Sequence, residues 1–171
     1  MKRLIFSVIL IFMIITISGC ASHQHAVNLQ KSFVPKEDTK VKVAEISNKT
    51  GFNYEINIEQ LLKSAFVKQL KTNNLLADEN SKNIIILNVD IMKYSEGSAF
   101  KRWLMPGWGK TELTITAKLY SNNQEIGTLK ATREIIAGGG YTIGAWEYVF
   151  NDLAEDVIED FKKEFQKQHK L

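Results

Sequence analysis

"ELTITAKLYSNNQEIGTLKATREII", residues 112–136, reads as two strands and the turn between them. Leu113, Ile115, Ala117 and Leu119 alternate with other residues through 112–121, the period of a strand that buries one face. Asn122-Asn123-Gln124 breaks the pattern, and 125–136 returns as an antiparallel partner. Upstream, "IIILNVDIMKY" (84–94) is rich in β-branched residues and bounded by breakers, so it reads as a well-buried strand. Asn88 and Asp90 fall on the same face of it and point outward together. "KVKVAEI" (40–46) alternates Val41 and Val43 with charges and supplies a first strand.

Two helices complete the pattern. Ile58, Leu61, Leu62, Ala65, Phe66 and Leu70 recur at three- and four-residue steps, with Glu59, Lys63, Lys68 and Lys71 opposite. Asn57 caps that helix, with Gln60 placed for a capping box. Near the C-terminus Trp146, Val149, Phe150, Leu153, Val157, Ile158, Phe161 and Phe165 form one stripe; Glu155, Asp156, Glu159, Asp160, Lys162, Lys163 and Glu164 read as its solvated face. The order β-α-β-β-β-α predicts a single α+β domain over 40–168. Its mixed four-stranded sheet carries both helices on one face and leaves the other to solvent or a partner. Strands one and two are expected to be parallel through a right-handed crossover.

The first twenty residues, "MKRLIFSVILIFMIITISGC", carry two cations, an apolar run from Leu4 to Ile17, and small residues before a cysteine. The run has the length of a signal-peptide core and is short for a membrane span. "ISGC" (17–20) resembles the lipobox of bacterial lipoproteins. That resemblance implies cleavage of a signal peptide over 1–19 and acylation of Cys20, which becomes the membrane anchor. Ala21 follows where, in lipoproteins of the enteric type, an aspartate would retain the protein at the inner membrane. The expectation is therefore an outer-membrane protein facing the periplasm. Cys20 is the chain's single cysteine, so no internal disulfide can form. Residues 20–39 read as the lipidated cysteine and a flexible tether, reaching roughly 25 Å as a coil. His23 and His25 lie in it without a third metal ligand nearby.

The formal charge is +3, but Lys2 and Arg3 leave with the signal peptide and 20 cations then face 19 acids. That balance gives no footing for nucleic acid. Catalytic parts are missing as well. The cysteine is committed to lipid and His169 sits in the charged tail, so the predicted domain holds no histidine as base or ligand. "GGYTIG" (139–144) has phosphate-loop spacing, but Ala145-Trp146 stand where Lys and Ser or Thr are needed. The reading is a non-enzymatic protein with no cofactor and no metal.

The remaining singular stretch is "FKRWLMPGWGK" (100–110), too apolar for an idle loop and too interrupted for a strand or helix. The lipobox, Arg102 ahead of Gly107-Trp108-Gly109, the alternating strand at 112–121 with its return, and the glycine-rich junction before the last helix resemble a family of small bacterial envelope lipoproteins. That family is the domain of unknown function numbered 4410, and the resemblance spans most of 40–165. It implies a fold and an envelope address, and no activity. For the loop three readings stay open. Phe100, Trp103, Leu104, Met105 and Trp108 can be apolar anchors for an envelope protein partner, with Lys101, Arg102 and Lys110 at the rim. The same side chains can enter a membrane surface or bind a small ligand, the cations meeting anionic phosphates. Or the loop folds back and buries Trp103 and Trp108 over the open sheet face.

Overall fold

The computed structural model describes residues 22–30, 33–105, 107–136 and 143–168. The chain runs β1 (Ser22–Leu29), β2 (Lys40–Asn48), α1 (Ile58–Thr72), β3 (Ile84–Ser95), α2 (Ala99–Leu104), β4 (Thr111–Ser121), β5 (Gln124–Ile135) and α3 (Ala145–Gln168). The sheet order is β1-β5-β4-β3-β2. β2 and β3 are parallel across α1, and β3, β4 and β5 form the expected antiparallel meander. Asn122 and Asn123 turn the β4–β5 hairpin with φ of 50° and 63°, the left-handed pair that a two-residue loop requires.

Five strands and three helices, among the described residues, replace the expected four and two. The first addition is β1, which turns residues 22–29 of the expected tether into an edge strand; the folded unit includes these residues, ahead of the expected start at 40. Its sequence shows little apolar alternation because its hold on β5 is chiefly a backbone ladder, running from Ser22 opposite Glu134 to Leu29 opposite Gly127. Without β1 the long strand β5 would present a row of unpaired backbone groups. Gly127 makes the close approach possible, since a Cβ there would lie 2.6 Å from the Asn28 carbonyl oxygen. The second addition is α2, described below with the site.

Packing follows the predicted periodicities. The inward faces of β3 and β4 (Ile85, Leu87, Val89, Ile91; Leu113, Ile115, Ala117, Leu119) are buried under Leu62, Phe66 and Leu70 of α1 and Val149, Phe150, Leu153, Val157 and Phe161 of α3. Each such large side chain contributes about 1.5–3 kcal/mol on burial. Asn57 caps α1 by accepting the Gln60 N–H at 2.8 Å. The reciprocal half of the box is absent, because the Gln60 side chain turns to Ser64 instead. Asp156 departs from the solvated face expected for it: Arg133 of β5 points at α3 and donates to Asp156 at 2.9 Å and Asp152 at 3.3 Å. Burial raises the Asp152 pKa, the Arg133 charge opposes that shift, and Asp156 reinforces it. On the opposite face the sheet is polar: Thr114 and Thr132 share a cross-strand hydrogen bond of 3.0 Å, and Asp90 lies opposite Thr116 as expected of an outward residue.

Candidate functional site

One rung crosses the sheet at its β3 C-terminal end: Ser22, Glu134, Glu112 and Ser95 stand opposite one another in β1, β5, β4 and β3. Two carboxylates face each other there, which would repel. Lys110 resolves the conflict, with its Nζ 2.7 Å from Glu112 Oε2 and 2.5 Å from Glu134 Oε1, while Lys93 adds a contact of 2.9 Å to Glu112 Oε1. Burial pushes the Glu112 carboxyl up, but hydrogen bonds from Lys110 and Lys93 outweigh it and hold the pKa below its ordinary value. The hydrogen bonds that Lys110 donates to Glu112 and then to Glu134 raise its own pKa.

Beyond this rung the chain between β3 and β4 forms a closed tip. Ser98 caps α2 by accepting the Lys101 N–H at 3.3 Å, and its own N–H reaches the Gly109 carbonyl at 2.8 Å. The helix stops at Met105, which is extended (φ −151°, ψ 120°), the conformation a following proline imposes. Gly97 takes φ of 69° and packs against the backbone of Gly109 and Lys110; a Cβ would meet the Lys110 carbonyl at 2.6 Å. The expected loop thus contains a helix of about a turn and a half. Ser98 and the six residues before Met105 were its sequence signal, masked by the breakers that follow.

The eight residues expected to form an interaction loop divide into two groups. Phe100, Trp103, Leu104, Met105 and Trp108 are all exposed, the two tryptophans at 69% and 52%. Phe100 and Trp103, three apart on α2, stack with ring centroids 6.2 Å apart. These exposures overturn the lid reading, in which both tryptophans would be buried over the sheet. The cations do not form the expected rim. Arg102 is buried at 2% exposure and donates from one terminal nitrogen to the Gly109 carbonyl and to Thr111 Oγ1, each at 2.9 Å. Thr111 in turn donates to the Glu96 carbonyl at 2.8 Å, which closes the base of the tip. Lys110 is held by its two glutamates. Lys101 alone of the three is exposed without an ion pair among the described residues, its ammonium 5.8 Å from the centre of the Trp108 ring. Arg102 is the residue whose role sequence reasoning missed, because a cation beside tryptophans reads as a surface group.

Cys20, on which the anchor reading rests, lies outside the described residues, as do the signal peptide, His169 and most of the glycine-rich junction. Among the described residues no three His, Cys, Asp or Glu side chains gather into a metal-binding group. The family model of the domain of unknown function DUF4410 matches residues 30–139. No curated protein matches the sequence. Two solved structures share the architecture, both PelC dodecamers from Paraburkholderia phytofirmans. One is a leucine-to-methionine variant with a TM-score of 0.52 and 14% identity, covering 80% of this chain and 96% of that chain. The other has a TM-score of 0.52 and 15% identity, covering 81% and 95%. At such identities the likeness is one of fold.

Proposed function

From a chain that belongs to the DUF4410 family, a domain of unknown function, we infer a lipid-anchored protein of the bacterial envelope that serves as a non-enzymatic interaction module. In this reading Cys20 carries the lipid, the domain is an accessory part of an envelope assembly, and the tip is a surface for contact with another component of the envelope, protein or lipid. The observation that supports it is the tip itself: five large apolar side chains held in the open by a hydrogen-bonded base. Soluble proteins seldom leave such a group uncovered unless something docks there. The chemistry within reach of the tip is that of contact, with aromatic and aliphatic surface and one exposed lysine.

Two measurements test this. The mass of the mature N-terminus should show an acylated Cys20, and Cys20→Ser should release the protein from the membrane fraction; an unmodified N-terminus sinks the anchor. Light scattering of the detergent-extracted protein should give a mass above one chain. Because PelC, with the same fold, is a dodecamer, further copies of this chain are the first partner to look for. A monomer with no companion sinks the assembly. The outer-membrane address is tested by fractionation, with Ala21→Asp expected to move the protein to the inner membrane.

A further inference from the structure

The strand that replaced the expected tether fixes where an anchor at Cys20 must lie. One residue, Ala21, separates Cys20 from Ser22, and each of the two Cα steps spans at most about 3.6 Å along the chain, so covalent reach alone keeps the Cα of Cys20 within about 7 Å of that of Ser22. Ser22 is opposite Glu134, and two residues beyond Glu134 the Ile136 carbonyl accepts the Gly107 N–H of the tip at 3.0 Å. The acylated end of the chain and the apolar tip therefore occupy the same end of the sheet. We propose that the tip's occupant is the lipid bilayer that holds the Cys20 acyl chains, a step that rests on the anchor reading above. Acyl chains on so short a leash draw this end of the sheet to the headgroup layer. The side chains waiting there are of the type that layer favours, two tryptophans among Phe100, Leu104 and Met105.

The charges sharpen the nature of the contact. With Arg102 buried and Lys110 bound to Glu112 and Glu134, only Lys101 of the loop's three cations remains to meet a phosphate. Apolar insertion drives the contact, and anionic lipid is not required. A protein partner for the same tip would have to share the space with the bilayer surface, which is why the lipid is the favoured occupant.

The test uses the full lipidated chain in phosphatidylcholine vesicles whose acyl chains carry bromine, a quencher of tryptophan emission. Two variants and the parent isolate the signal: one variant retains Trp103 and Trp108 through Trp146→Phe, and the other retains Trp146 through Trp103→Phe and Trp108→Phe. The chain with Trp103 and Trp108 should lose emission by at least about twofold and more than the chain with Trp146, as interfacial tryptophans do. The loss should persist at about 0.5 M salt, where exposed charge pairing is screened within a few ångströms. Unquenched Trp103 and Trp108 in a chain whose Cys20 is acylated by mass would overturn the bilayer contact and leave the anchored module standing. If those tryptophans are instead needed to retain a co-purified protein, the tip is a protein interface. Quenching that requires anionic lipid and vanishes with salt overturns apolar insertion, and an unacylated Cys20 removes both readings together.

Discussion

Arg102 and Trp103 adjoin in the chain and part company in space, one at 2% exposure and the other at 69%. A helix turns successive residues by about 100°, so neighbours on α2 face the base and the solvent respectively. Arg102→Ala should lower stability by about 2–3 kcal/mol, because the buried Thr111 hydroxyl and the half-buried Gly109 carbonyl lose a charged donor. In a domain of this size that is a fall of roughly 5–10 °C in melting temperature. Arg102→Lys should not restore it, since the donating nitrogen belongs to a rigid planar fork. Trp103→Ala and Trp108→Ala should each stay within about 0.5 kcal/mol, as exposed substitutions do. A core change such as Phe150→Ala should cost about 3–5 kcal/mol. Thermal melts separate the three cases. Glu112 gives the acid dependence. Its folded pKa lies below the unfolded one, so its contribution is complete above the ordinary carboxylate value and is lost as pH falls through the folded value. Lys110 is shifted upward, so its share persists below the ordinary lysine value and is lost as pH rises through the raised one. Glu112→Gln should therefore destabilise at neutral pH and converge with the parent only as pH falls through the folded value, below the ordinary glutamate range. Urea midpoints against pH read this directly, and a constant gap would refute it.

Elements that bury a face were legible in the sequence, and those held by backbone alone were not. The stripes on α1 and α3 and the alternation in β4 announce themselves because side-chain burial imposes a period. β1 was missed because its pairing uses main-chain groups, which every residue possesses; Val27 and Leu29, packed half-buried against the core, are the faint trace it leaves. Gly127 tests this pairing from the other side. Gly127→Val should drive a side chain into the Asn28 carbonyl, raise amide exchange over 26–29, and lower the melting temperature by several degrees, about 1–3 kcal/mol for an overpacked contact. Unchanged exchange would mean that β1 contributes little. The apolar half of the candidate site was equally legible, as composition. The buried arginine and the paired Lys110 were not, because whether a cation faces inward depends on Gly109, Thr111 and Glu134 arriving beside it from other parts of the chain.

At the scale of the molecule, the two ends of the sheet differ. One gathers Ser22, the charged rung and the aromatic tip; the other carries the asparagine turn of the hairpin. With the tip on a bilayer, the strands stand on end and the uncovered polar face looks sideways along the membrane. A coil of 19 residues would have let the domain tumble through a volume roughly 25 Å deep. In a chain anchored at Cys20 the strand would remove that freedom before any partner arrives, so part of the orientational entropy of association would already be lost. Encounters are then reduced from three dimensions to two, between neighbours in one leaflet that share the same upright pose. A sheet face too polar to bury by itself becomes, in that setting, a wall that the next anchored molecule meets broadside.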